Sequence, residues 1–262
     1  AKQIYAWLSR GVMTFDGMTD ISKSLREKLH ENCTLATLEM RRRLVDPEDG
    51  TAKYLFALSD GLLIETVVMK YKHGNSVCIS SQAGCRMGCR FCASTLLGKE
   101  RDLTAGEMLA QVAFANADAG VTNVVVMGVG EPLDNFDNLC VFLENLHDPR
   151  GLNISHRHVS VSTCGIVPKI YELAEKRLQI TLSVSLHAPD DETRSQIMPI
   201  NSAYNVETLM KACDAYVAAT NRRISYEYTL IKGVNDTTAH ARRLAPLMKG
   251  RLAHVNLIPV NY

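Results

Sequence analysis

The sequence predicts an α/β fold: an incomplete (β/α)6 barrel with a short β extension and a small N-terminal helical domain. Three observations predict it. Across residues 76–262, short apolar runs alternate with stretches of helical period, the pattern of a parallel sheet flanked by helices. Residues 47–75 switch to period two, as half-buried strands do. Residues 1–46 carry helical spacing.

In chain order, AKQIYAWLSRG sets Ile4, Trp7 and Leu8 on one helix face and stops at Gly11. Asp20 or Ser22 can cap a second helix running through Leu29, and Leu35 and Leu38 open a third apolar patch. Arg41, Arg42 and Arg43 form a basic run, the usual mark of a solvated face. KYLFALSDGLLIETVVMKY reads as two strands around the turn Ser59-Asp60-Gly61, and NSVCIS as a third. Thr104 caps a helix through Ala119, with Glu107 placed to close a capping box. TNVVVMG reads as a strand buried on both faces. A helix near 135–147, the strand HVSVS, a helix near 168–177, the strand QITLSVSLH and a helix near 205–220 follow. The strand ISYEYTLI, a helix near 236–249 and the strand HVNLIP complete six βα-type strands, fewer than the eight of a closed barrel. Right-handed crossovers are expected.

The chain has 262 residues, room for one large domain or for one domain with a small appendage. A net charge of +1 argues against nucleic-acid binding through overall charge and leaves only local patches for it. Eight cysteines are too few for a disulfide scaffold, and their clustering suits a reducing cytosol. No run approaches the roughly 18 apolar residues of a membrane span, and no signal-peptide pattern opens the chain. The expectation is a soluble, cytoplasmic monomer. Both ends read as cut: Lys2 to Leu8 is already helical, and HVNLIPVNY stops directly after a strand.

Residues 76–101, SVCISSQAGCRMGCRFCASTLLGKER, hold the strongest chemical signal. Cys85, Cys89 and Cys92 stand at C-x3-C-x2-C spacing, Phe91 precedes the last of them, and Cys78 lies seven residues upstream. Such short separations let three thiolates converge at little loop-closure cost. Structural zinc wants four ligands, usually as two distant C-x2-C pairs, and no second pair exists here. A [4Fe–4S] cluster takes cysteine thiolates, so three of them would leave one iron open to a substrate or cofactor. Three free buried thiols are the bland alternative.

Parallel α/β folds collect their chemistry at strand C-termini. That rule selects the cysteine loop, Gly128–Pro132, Ser162–Gly165, Ser185–His187 and Asn261. In MGVGEP, Gly130 permits close backbone approach and Glu131 can accept from an ammonium group; a tight turn with a surface acid is the alternative. Ser162, Ser185 and His187 offer hydroxyls and a ring to a ribose or carboxylate, or merely cap strand ends. Glu65, in IETVVM, is either a solvated edge-strand acid or a general base. Cys78 is either a core thiol or a nucleophile near the triplet. Lys70, Lys72, His73, Arg86, Arg90, Lys99 and Arg101 flank the triplet. Together they suit phosphate contacts, though each singly is ordinary solvated charge.

Taken together, these motifs resemble the radical SAM superfamily and, within it, the RlmN-type dual-specificity RNA methyltransferases. The likeness runs through IETVVM, the cysteine stretch, DLTAGEMLAQV, VMGVGEPLDNFDN, VSTCGIVPKIYELA, SVSLHAPDDETRSQIMPIN, YEYTLIKGVND and HVNLIPVN. It implies methylation of adenine C2 in 23S rRNA and in tRNA. It implies a [4Fe–4S] cluster on Cys85, Cys89 and Cys92, and S-adenosylmethionine (SAM) bound by Gly130, Glu131, Ser162, Ser185, Leu186, His187 and Asn261. An electron donor such as flavodoxin or ferredoxin would reduce the cluster. The implied route first methylates a C-terminal cysteine with one SAM. A 5′-deoxyadenosyl radical from a second SAM then activates that methyl group for addition to C2. Glu65 accepts the C2 proton, and Cys78 resolves the thioether, leaving a disulfide.

Two departures stand out. The family's methyl-carrying cysteine lies in a C-terminal segment beyond Tyr262, and no cysteine follows Cys213. Cys164, in VSTCG, stands where a serine is expected. On this reading the chain binds cluster and SAM but does not complete methyl transfer. The nearest rival is the Cfr-type enzyme, which methylates C8 of the same rRNA adenosine; FCASTLLGKERDLTAGE looks more like the C2 family. A radical SAM enzyme for a small molecule would not need the helical unit or the basic rim. A zinc-binding RNA module would hold no iron.

Overall fold

The computed structural model of the chain describes residues 2–260. They form two compact units. The first runs to Ala83 and adds Arg101–Val129 and Asp137–Val159; the second holds Gly84–Glu100, Gly130–Phe136 and the chain from Ser160 onward.

The first unit begins with helices α1 (Lys2–Ser9) and α2 (Lys23–Asn32). Phe15, Met18 and Ile21 are buried between them, with Ile4, Trp7, Leu8, Leu29 and Leu35 packed around. Each such side chain contributes about 1.5–3 kcal/mol when fully buried. Gly11, at φ 80°, stops α1 as its position predicts. Asp20 does not cap α2: its Oδ1 accepts from Trp7 Nε1 at 2.5 Å. Ser22 takes the N-cap position without a side-chain capping bond.

Four strands follow: β1 (Glu39–Val45), β2 (Ala52–Ala57), β3 (Leu63–Tyr71) and β4 (Gly74–Cys78). The short strands β5 (Gln82–Gly84) and β6 (Lys99–Asp102) pair at the two ends of the cysteine loop. Helix α3 (Ala105–Ala119), strand β7 (Val121–Val126) and helix α4 (Phe136–His147) come next. The sheet order here is β1-β2-β3-β4-β7, antiparallel through β4 and parallel between β4 and β7. Residues 39–45, expected within the helical domain, are therefore strand: the β extension starts before residue 47. All seven side chains of β1 are exposed, so burial imposes no period on them and apolar spacing carries no information there. Both halves of the predicted capping box form, Glu107 N–H donating to Thr104 Oγ1 at 3.2 Å and Thr104 N–H to Glu107 Oε2 at 2.8 Å. Helix α3 packs its Phe114 ring edge-on against Tyr54 and Phe56 of β2. An apolar cavity of about 120 Å³, lined by Tyr5, Leu8, Met13 and Leu109 among others, includes none of the predicted site residues.

The second unit continues with β8 (Val159–Thr163), α5 (Val167–Glu175), β9 (Thr181–Ser185), α6 (Asp191–Ile197), α7 (Val206–Thr220), β10 (Ile224–Leu230), α8 (Thr238–Met248) and β11 (Ala253–Pro259). Its strands lie parallel in the order β8-β9-β10-β11. Helix α6 is the element that apolar period does not reveal. Asp190 starts it by accepting from Thr193 N–H at 2.9 Å. Among the described residues no helix is long and apolar enough to cross a membrane.

Candidate active site

The cysteine loop closes on itself through glycine. A Cβ on Gly84, whose φ is 78°, would fall 1.9 Å from the Gly98 carbonyl oxygen, so only glycine lets the two ends meet. Cys85 N–H then donates to Gly98 O at 2.9 Å. Inside the loop Cys92 N–H donates to Cys89 O at 3.1 Å, and Thr95 Oγ1 to Cys92 O at 2.9 Å. Arg90 N–H donates to Ile197 O at 2.9 Å, tying the loop to the end of α6.

Cys89 is buried in a cluster with Cys164, Ile197 and Met198, against which Met87, Phe91 and Cys92 pack. Burial raises the pKa of Cys85 and pushes Cys89 up to about 12. Charge on Cys92 raises both further, and charge on Cys85 raises Cys89. Among the described residues no three Cys, His, Asp or Glu side chains stand in a metal-holding arrangement. The donor set nevertheless suits iron and sulfide: three soft sulfurs on one loop, without a second C-x2-C pair for tetrahedral zinc. Protonated thiols lose their protons when metal binds.

Gly130, at φ 109°, leads into Glu131, which is 4% exposed and so no surface acid. Its Oε1 accepts from Leu133 N–H at 3.0 Å and its Oε2 from Cys164 N–H at 2.7 Å. Burial raises its pKa, and these donors pull the other way. Ser162 lies opposite Ser183, and Ser185 opposite Glu227. Past Ser185 the chain turns sharply: Glu227 O accepts from both Leu186 N–H and His187 N–H at 3.1 Å. His187 sits at φ 54°. Its Nδ1 accepts from Thr229 N–H at 2.9 Å, which leaves the ring hydrogen on Nε2. Burial, then the nearby Arg194, lowers its pKa to about 3. The ring stands edge-on to Phe91, centroids 4.7 Å apart.

The second unit thus holds Cys85, Cys89, Cys92, Gly130, Glu131, Ser162, Ser185, Leu186 and His187. Asn261 lies outside the described residues. Glu65 and Cys78 belong to the first unit. Glu65 is not on an edge strand, because β3 lies between β2 and β4; its Oε1 pairs with Lys53 Nζ at 2.7 Å. Cys78 faces Val67 across the strand pair, so its side chain and that of Glu65 share one face of the sheet. Burial pushes the Cys78 thiol up to about 11, against a hydrogen bond from the Met127 backbone. All eight cysteines are free, so the expected disulfide has no counterpart among the described residues.

The basic rim is partly spoken for. Arg86 pairs with Asp134, Lys99 Nζ reaches Asp134 Oδ2 at 2.8 Å, and Arg101 bonds Asp60 and Glu107. Lys70, Lys72, His73 and Arg90 are exposed. Sequence patterns missed the buried Glu227, whose Oε1 accepts from Ser225 Oγ at 2.9 Å and Oε2 from Asn256 Nδ2 at 2.7 Å. They also missed the buried Arg194 of α6. An acid between two tyrosines in ISYEYTL was the one available signal for Glu227.

Known proteins resemble this chain in sequence and in fold. The radical SAM superfamily model matches residues 79–245. A ribosomal RNA large subunit methyltransferase N-terminal domain matches residues 1–35. A probable dual-specificity RNA methyltransferase RlmN from Thermoanaerobacter sp. (strain X514) is 54% identical over 100% of this chain and 77% of its own length. Its counterpart from Lachnospira eligens is 56% identical over 100% of this chain and 75% of its own length. The crystal structure of a radical SAM methyltransferase from Sphaerobacter thermophilus superposes with a TM-score of 0.95 at 44% identity, covering 100% of this chain and 78% of that one. The fold is thus the radical SAM α/β fold, an open partial barrel of parallel strands. With the cysteine triplet on its loop, the strand-end residues in one unit and relatives of this identity, the chain belongs to the RlmN family of dual-specificity RNA methyltransferases within the radical SAM superfamily.

Proposed function

We propose that this chain is the radical SAM core of an enzyme that methylates C2 of an adenosine in 23S rRNA and in tRNA. The supporting observation is the gathering of three thiols, a buried carboxylate and two strand ends in one unit of a chain so similar to RlmN proteins. Cys85, Cys89 and Cys92 hold a [4Fe–4S] cluster in this reading. Gly130, Glu131, Ser162, Ser185, Leu186 and His187 receive SAM, and Asn261 joins them on its motif alone. Cluster and SAM, when bound, supply one-electron chemistry for an electron-poor ring carbon that an ordinary methyl donor does not reach. Flavodoxin or ferredoxin supplies the electron.

The chain's own residues do the rest. His187 is neutral, and its ring stands edge-on to Phe91. Glu131 keeps a buried carboxylate at the strand ends, suited to an ammonium group. Glu65, paired with Lys53, takes the proton that leaves C2. Cys78 gives up its thiol proton before it displaces the product. The helices of the first 35 residues and the exposed Lys70, Lys72, His73 and Arg90 face the RNA.

Nucleoside mass spectrometry tests the proposal. The protein carrying this chain is reconstituted anaerobically with iron, sulfide, reductant and SAM, then given a 23S rRNA fragment and tRNA. The expected products are 2-methyladenosine and 5′-deoxyadenosine. Methylation at C8 would assign the Cfr-type activity instead, and a protein that neither takes up iron nor cleaves SAM would sink the cluster assignment.

A further inference from the structure

Among the described residues the largest fully buried side chain is a cation, Arg194, 1% exposed on α6. A guanidinium has five N–H donors, and all five are used. Nε donates to Leu186 O at 3.2 Å. Nη1 donates to Asn201 Oδ1 at 3.0 Å and to Tyr204 O at 3.4 Å. Nη2 donates to Cys164 O at 2.7 Å and to Ser185 O at 3.1 Å. Every acceptor is a neutral oxygen. A buried arginine is usually met by a carboxylate, because leaving water is costly for a charge. Here burial lowers the arginine's pKa, and Cys164, Cys89 and Asp191 act against that shift. Its charge is felt in turn at the Cys89 and Cys164 thiols.

Three of the five acceptors are backbone carbonyls at strand ends: Cys164 after β8, and Ser185 and Leu186 at the end of β9. Cys164 is also gripped through its N–H by Glu131. Helix α6 is tied in turn to the cysteine loop through Arg90 N–H and Ile197 O. Gly165, next in the chain after Cys164, takes φ 105°, and a Cβ there would fall 2.9 Å from Leu209. One side chain therefore joins the turn before His187, the residue that bonds Glu131, and the helix that anchors the triplet.

We propose that Arg194 is a positioning residue for both cofactors: its fork fixes the backbone at Cys164, Ser185 and Leu186 for SAM, and its charge, hydrogen-bonded only to neutral oxygens among the described residues, offsets the negative charge of the cluster and its thiolates. The proposal rests on the assignment of Cys85, Cys89 and Cys92 as cluster ligands and of Ser185, Leu186 and His187 as SAM contacts.

Two substitutions separate fork from charge. Arg194→Lys keeps the charge and loses the fork; Arg194→Gln loses both. Each protein, checked for folding by circular dichroism, is assayed for iron content, SAM affinity by calorimetry and cluster midpoint potential by redox titration. Amide exchange is followed in the iron-free form. In Arg194→Lys, SAM binding weakens by about ten- to a hundredfold, as for residues that orient a ligand's direct contacts. The potential stays near wild type, while amides of Arg90 and Cys164 exchange faster even without iron. In Arg194→Gln the potential also moves to more negative values, since reduction adds an electron that no cation offsets. Should Arg194→Gln not fold, Arg194→Lys decides alone. Wild-type SAM affinity in Arg194→Lys overturns the proposal, as does wild-type potential in a folded Arg194→Gln. If the unsubstituted protein takes up no iron and binds no SAM, the cofactor assignment fails instead.

Discussion

His187 shows how far one residue can be read from its neighbours in sequence. Its place at a strand end is visible in SLHAP. Its neutrality is not, because that comes from burial and from Arg194, and its tautomer from Thr229, more than forty residues away, whose N–H donates to Nδ1. A left-handed backbone at a non-glycine residue costs on the order of 1–3 kcal/mol and persists only where the surroundings enforce it. The depressed pKa has a definite sign in stability. The unfolded chain takes up a proton near the ordinary value of 6.5, the folded chain only near 3. Stability from this group is therefore complete above pH 6.5 and lost as pH falls toward 3. Urea titrations of wild type and His187→Gln across pH 7 to 4 check this: the wild type loses stability more steeply, and equal slopes would mean the ring is not buried neutral. Glu131 and Arg194 make the same point. Glycine and proline spacing located the MGVGEP turn, but nothing in the sequence distinguished a surface acid from one accepting two backbone N–H groups in the interior.

Elements were legible wherever burial imposed a period or a cap left a chemical mark. Thr104 and Glu107 announced α3, and apolar runs announced β7 through β10. Strand β1 was hidden by exposure on both faces, and α6 by its shortness and by an arginine buried where polar residues usually meet water. The cysteine loop was the clearest of all as chemistry, yet its closure depends on a contact that spacing does not reveal, Gly84 against the Gly98 carbonyl. Gly84→Ala puts a methyl group into that oxygen and asks alanine for a left-handed backbone. The expected protein folds but takes up less than half the iron of wild type in anaerobic reconstitution. Full iron content in Gly84→Ala would show that the loop closes in some other way.

At the scale of the whole molecule, a net charge of +1 cannot draw RNA in bulk, so binding falls to local cations. Arg86, Lys99 and Arg101 are engaged with carboxylates, which leaves Lys70, Lys72 and Arg90 as the exposed basic set near the triplet in sequence. Three or so phosphate contacts predict a slope of about −2 to −3 for log affinity against log salt. Filter binding of a 23S rRNA fragment from 50 to 300 mM salt measures it; a flat line would mean these cations do not meet phosphate. The run Arg41, Arg42 and Arg43 has a different consequence. It lies on β1, the outermost strand, whose Met40, Leu44 and Val45 are about half exposed and whose pairing slips between Met40 and Arg42. An open, partly greasy sheet border invites a second copy to dock border to border, the first step of clumping. Charged side chains (Arg41 paired with Glu39, Arg42, and Arg43 paired with Asp118) and a kinked ribbon discourage that visitor. A border so built works against stacking between copies, whether or not RNA is present.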